Sequence, residues 1–183
     1  QDEIPVLQIT SSMDIGEHPG CNRGNLYILS NADSVRMYKN DRFIKEYRPE
    51  MSPYKHLKHG PILIDDFIGD ALEKNERFRP KHAKEMADTM NIVARGSLNH
   101  IPKRLYPTAL KLALLYHIDF AEVTKLYTKY IGDWGGTATV YRFDAIKNDK
   151  VIKSVTKEPV NGIRLQAEAD HTNLTEHHSY DVA

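Results

Sequence analysis

One cysteine, Cys21, and one tryptophan, Trp134, stand in 183 residues. The single cysteine excludes an internal disulfide and leaves the redox environment open. Excess charge is missing too. Lys plus Arg and Asp plus Glu number 25 each, so no global field draws the chain onto nucleic acid or an anionic membrane. No apolar run approaches the ~18 residues of a membrane span. The start, Gln1-Asp2-Glu3, lacks the basic and then apolar segments of a leader. It suits a mature terminus or an arbitrary boundary equally well, so the compartment stays undetermined. Gly-x-Ser-x-Gly, phosphate-loop and dinucleotide patterns are absent, and Cys21 has no histidine and amide arrangement that would make it a nucleophile.

What the chain does have is a strong hairpin signal from Asn31 to Lys45. Val35 and Met37 alternate with Arg36 and Tyr38. Asn40-Asp41 can take the positive φ angles of a tight turn, and Phe43, Ile44 and Tyr47 rebuild a strand beyond it. The turn is repeated. Lys39-Asn40-Asp41-Arg42-x-Ile44-Lys45 returns as Lys147-Asn148-Asp149-Lys150-x-Ile152-Lys153, again after an aromatic-rich strand, Thr139 to Phe143. Two such hairpins suggest one sheet sandwich with something inserted between its halves.

Ahead of the first hairpin, Ile4 to Ile9 reads as an edge strand because of Pro5, and Asn25 to Ser30 as a β-prone run. Met13 to Gly24 between them holds too many glycines for a regular element. After Tyr47 the pattern changes. Arg48 to Pro61 reads as a proline-rich linker, and from Ile62 the apolar period becomes about 3.6. One helix is expected on Ile64, Phe67, Ile68, Ala71 and Leu72, fading near Asn75. A second runs from Pro80 to a stop at Gly96, with Ala83, Met86, Ala87, Met90 and Val93 or Ala94 inward. A third, from Pro102 or Tyr106 to His117, would bury Leu110, Ala113 and Leu114. Asp119 would cap a fourth, Phe120 to Ile131, buried through Val123, Leu126, Tyr127 and Tyr130.

The expected fold is therefore mainly β with a helical insertion: a sandwich interrupted by about four helices. Residues 1–61 would give the first part of the sandwich and a linker, 62–133 the helices, and 134–159 the second part. Residues 160–183 would begin a following β-domain, since Ile163, Leu165, Ala167 and Ala169 alternate as a strand without partners. A long insertion in one connection is tolerable because closure entropy grows only logarithmically with length.

Ser30-Asn31-Ala32-Asp33-x-Val35-x-Met37-Tyr38-x-Asn40-Asp41 resembles a signature of family 2 glycoside hydrolases, bacterial β-galactosidases especially. It lies in the immunoglobulin-like domain that follows their catalytic barrel. Pro5 to Ile9 with its Pro-Gly loop, Gly136 to Val140, and Lys153 to Glu158 followed by Ile163 to Ala167 resemble neighbouring family segments in the same order. The family usually has Gly at the place of Asp41 and a simple loop where the helices are expected. The resemblance implies an immunoglobulin-like, non-catalytic fragment of a β-galactosidase-like enzyme. Its partners would be the barrel and adjacent β-domains, with carbohydrate as a further candidate ligand. The family's catalysis uses two barrel glutamates about 5 to 5.5 Å apart, and this chain has no alternating βα pattern to build that barrel.

Individual constellations point the same way. His82 and Glu85 have a metal-ligand spacing, yet no second pair converges on them, so a solvated surface pair is expected. His18 and Cys21 supply two zinc ligands where four are needed. Asp65-Asp66 read as acids at a helix start rather than a catalytic dyad, and Asp170-His171 and His177-His178 sit in a polar tail. Neither a cofactor nor a metal site is expected. Tyr106, Tyr116, Tyr127 and Tyr130 fall on apolar stripes and suit packing. Trp134, between glycines, is the candidate for carbohydrate or a neighbouring domain.

Overall fold

The computed structural model describes residues 4–13, 23–96, 103–117, 120–132 and 139–158. Within them, seven strands form two antiparallel sheets, accompanied by four α-helices, so the fold mixes α and β where a mainly β one was expected. The first sheet has the order β1 (Leu7–Ile9), β2 (Tyr27–Ser30) and β5 (Ile62–Leu63). The second runs β4 (Arg42–Tyr47), β3 (Ser34–Lys39), β6 (Tyr141–Lys147) and β7 (Lys150–Lys157). β1 is an edge strand, as Pro5 led one to expect.

Both sheets bury side chains in one apolar cluster. Leu7, Ile9, Ile28 and Ile62 meet Val35, Met37, Tyr47, Phe143 and Ala145 there. Alternation explains which residues arrive. In β3, Val35 and Met37 point into the core while Arg36 points out, as a period of two requires.

The two hairpins are one structural unit used twice. Asn40, Asp41, Asn148 and Asp149 all have φ between 48 and 59°, the left-handed pair of a two-residue turn whose twist matches its strands. Each hairpin also carries a bulge at the same distance from its turn. Met37 opposes Lys45 and Tyr38 opposes Phe43; in the other copy Ala145 opposes Lys153 and Ile146 opposes Val151. β3 and β6 then pair along their full length, from Ser34 opposite Ile146 to Lys39 opposite Tyr141. Antiparallel pairing brings each turn to the other hairpin's base. Asn40 Oδ1 accepts from the Val140 N–H at 2.8 Å, and Asp33 Oδ2 accepts from the Asn148 N–H at 2.9 Å.

The residues of the Ser-Asn-Ala-Asp text all serve as framework. Asn31 reaches β1's approach from both ends of its amide, accepting from the Val6 N–H at 2.8 Å and donating to the Ile4 carbonyl at 3.0 Å. Ser30 Oγ donates to the Val6 carbonyl, and Ala32 is buried. Asp33 holds the second hairpin, as described.

Between β5 and β6 lie α1 (Ala71–Glu76), α2 (Pro80–Arg95), α3 (Tyr106–Tyr116) and α4 (Phe120–Tyr130). They gather on a second apolar cluster that includes Leu72, Met86, Met90, Leu112 and Leu126. α2 follows its sequence pattern closely, with Pro80 in its first turn and Ala83, Met86, Ala87, Met90 and Ala94 buried. Gly96 at its end donates to the Ile92 carbonyl. In α4, Leu126 and Tyr130 are buried and Val123 and Tyr127 pack partly against them.

Two helical expectations fail. The helix expected from Ile64 begins only at Ala71. Ile62 and Leu63 instead pair with β2, and Ile64 and Phe67 join the core beneath the sheets. The break comes from Asp66, whose carboxylate takes the N–H groups of Ile68 and Gly69, and from Gly69 at φ +59°. An aspartate that captures its own downstream amides competes with helix formation. In α3 the inward residue is Leu112; Leu110 and Leu114, expected inward, are 62% and 68% exposed. With apolar residues on every side of this helix, periodicity could not choose a face. The 48–61 segment is also more ordered than a plain linker: Ser52 is buried, and its hydroxyl donates to the Pro61 carbonyl at 2.8 Å.

Candidate functional site

The most elaborate polar constellation lies where the helical segment meets the first hairpin. β4 is an edge strand of its sheet, and an uncovered edge is a template for aggregation. Residues 65–70 cover it. Gly69 comes so close that a Cβ there would lie 3.1 Å from the Ile44 carbonyl oxygen. On either side, Lys45 bonds both carboxylate oxygens of Asp65, at 2.7 and 2.9 Å, and Arg42 pairs with Asp70. The Tyr47 hydroxyl donates to the Asp66 carbonyl at 3.2 Å. Burial, reinforced by the nearby Asp65 and Asp66 charges, pushes that phenol well above its ordinary value.

Behind this loop, Asn91 of α2 is buried in the apolar stripe. Its amide oxygen accepts from the Phe67 N–H at 3.0 Å, and its NH2 donates to Asp66 Oδ1 at 2.9 Å. Arg23, fully buried, completes the junction. Its Nη2 donates to the Ile131 carbonyl at 2.8 Å, its guanidinium lies 4.2 Å from the Phe67 ring centroid, and its backbone N–H bonds the Ala94 carbonyl. One side chain thus touches both ends of the helical segment.

A cleft of about 300 Å³ opens beside the junction. Lys39, Arg42 and Lys129 stand around a floor of Ile44, Phe67, Ile68 and Tyr130. Its cations are engaged within the protein: Arg42 with Asp70, Lys129 with Glu76 at 2.6 Å, and Lys39 Nζ with the Tyr130 carbonyl at 3.2 Å. The lining contains no serine, threonine, cysteine or carboxylate side chain. These pairs tie β3 and β4 to the segments at the two ends of the helices.

Of the tyrosines expected to pack, Tyr106 is instead 57% exposed; the site candidates singled out from sequence fall into three groups. His82 and Glu85 are not paired with each other. His82 Nδ1 meets the Tyr116 hydroxyl at 2.8 Å, and Glu85 binds Lys111 at 2.8 Å, so both fasten α2 to α3. Asp65 and Asp66 turn in different directions, to Lys45 and to the Ile68 and Gly69 amides, and neither caps α1 as a helix-start acid would. Trp134, His18, Cys21, Asp119, Asp170, His171, His177 and His178 lie outside the described residues. Among the described residues no group of three or more His, Cys, Asp or Glu side chains could hold a metal ion, and no helix is long and apolar enough to cross a membrane.

No family model, curated protein or solved structure matches the chain.

Carboxylates around the junction and the sheet have an acid-side signature. Asp70 is held below the usual range by Lys74 and then Arg42, and Glu76 by Lys129 and then the Tyr130 hydroxyl. Glu46 is lowered by Arg36 and Glu85 by Lys111. A carboxyl lowered on folding contributes stability above its unfolded pKa and loses it as pH falls through the folded one. The urea midpoint should thus hold steady from neutral pH. It should start to fall as pH drops through the ordinary values of 4.5 for Glu and 3.8 for Asp, and continue falling below them. These groups are partly exposed, so added salt should flatten the profile. A midpoint that rises with acidification would contradict the assignment.

Proposed function

We propose that the chain is a non-catalytic, immunoglobulin-like accessory domain of a family 2 glycoside hydrolase of the β-galactosidase type. Its work is structural: it fixes the geometry between the catalytic barrel and adjacent β-domains. The observation that carries this reading is the use made of the signature residues. Ser30, Asn31, Asp33 and Asn40 all spend their polar groups on neighbouring strands and turns, which is what a framework signature requires. Two sheets on a common core, with the helices in the single connection from β5 to β6, support the finer description of a sandwich with a helical insertion. The paired charges of the cleft favour scaffolding over catalysis.

The reading frame around the chain is the direct test. A βα barrel with paired glutamates should precede Gln1; a frame without one removes the assignment. Titration of the chain with galactosides is expected to give no binding. Saturable binding that disappears in Trp134→Ala would replace the scaffold with a carbohydrate-binding module.

A further inference from the structure

α3 is apolar on both sides. Leu112 faces the helical core, fully buried. On the opposite side Tyr106, Leu110 and Leu114 are 57%, 62% and 68% exposed. A helix that is hydrophobic all round is ordinarily buried all round, and a contiguous exposed apolar patch usually marks an interaction surface. We propose that this outer face is a contact between two copies of the chain, paired as antiparallel α3 helices.

Spacing and charge select that occupant. Tyr106, Leu110 and Leu114 sit one i+4 step apart and form a single ridge. A twofold axis through the middle of the ridge sets Leu110 against Leu110 of the second copy and Tyr106 against its Leu114, so the surface is complementary to itself. The exposed cations Lys103 and Arg104 lie just before the N-terminus of α3, and its last turn carries no basic residue. Antiparallel pairing places those cations beside the carbonyl end of the other helix, where positive charge is favoured. Parallel pairing would bring the cations together. Lys111 is already neutralised by Glu85.

Area sets the strength. α3 has 11 residues and is about 16 Å long at 1.5 Å per residue. One such helix pair buries less than the roughly 1,200 Å² of a stable standard interface. The dimer is accordingly weak.

Sedimentation equilibrium of the chain over a concentration series reaching ~1 mM tests this. Reversible dimerisation is expected, with the dissociation constant raised at least about tenfold in Leu110→Glu/Leu114→Glu. Val151→Glu, at a 57% exposed position on the edge strand β7, should leave the dissociation constant unchanged. Both altered positions are on the surface, and circular dichroism confirms that the variants keep their helices. A monomer throughout the series overturns the proposal. So does a dimer that survives the Leu110/Leu114 change, or one that is lost through Val151→Glu, which would place the contact on the strand edge.

Discussion

Arg23→Ala is expected to destabilise the fold by roughly 3 kcal/mol, read as a lower urea midpoint. Three losses combine. The Ile131 carbonyl loses a charge-assisted donor at 2.8 Å, an interaction of about 1.5 to 3 kcal/mol. The Phe67 ring loses a guanidinium 4.2 Å from its centroid, a contact approaching 2 kcal/mol when desolvated. A fully buried side chain also leaves a cavity that its neighbours fill only in part. These terms share atoms and do not add, so the expectation sits below their sum. Arg23→Met separates them, because it restores most of the volume while leaving the carbonyl without its donor. It should fall between the wild type and alanine. A loss under about 1 kcal/mol for Arg23→Ala would mean that the end of α4 is held by something else.

The same change should loosen the helices before the sheets. Arg23 reaches Ile131 just after α4, Phe67 just before α1, and Ala94 in α2. The sheets are tied independently, by the β3–β6 pairing and by Asn31, Asp33 and Asn40. A locally opened helical segment is the expected low-stability unit of such a fold.

How much of this was readable in the residues depends on where each element gets its instructions. The hairpins were legible because Asn-Asp turns and alternating strands are local signals, and the repeated Lys-Asn-Asp text marked both copies. α2 was legible because Pro80, Gly96 and a clean apolar stripe agree. β5 was not: Ile62 and Leu63 become a strand only because β2 lies beside them, a fact no local pattern contains. The face of α3 was unreadable for a related reason, since leucines on both sides make the choice depend on where α2 is. At the junction, Asn91 could have been noticed as a polar residue inside the stripe of Ala87, Met90 and Ala94. Arg23 gave no such hint. A lone arginine beside Gly24 in an irregular loop looks solvated, and its burial follows from three partners distant in sequence. The hairpin residues Asn31, Asp33 and Asn40 serve as framework, and Trp134, the ligand candidate for its place between glycines, falls outside the described residues.

Gly69→Ala should destabilise by about 2 to 4 kcal/mol, although it adds a single methyl group to a half-buried loop. Conformation supplies the first part. Gly69 has φ +59°, where a Cβ costs about 1 to 2 kcal/mol. Contact supplies the rest, because the new methyl would stand 3.1 Å from the Ile44 carbonyl oxygen and 3.2 Å from its Cα. Those are backbone atoms of a paired strand, so the loop has to retreat. Its retreat strains the Lys45–Asp65 and Arg42–Asp70 pairs on either side and lifts the cover from the β4 edge. An exposed edge invites pairing between chains, so light scattering during mild heating should rise along with the fall in the urea midpoint. Asp70→Asn provides the contrast. It weakens two partly exposed pairs, with Arg42 and Lys74, each worth at most about 1 kcal/mol, but leaves the loop where it is, and scattering should stay at the wild-type level. If Gly69→Ala were as mild as Asp70→Asn, the close approach of the loop to Ile44 would not be what seals the sheet.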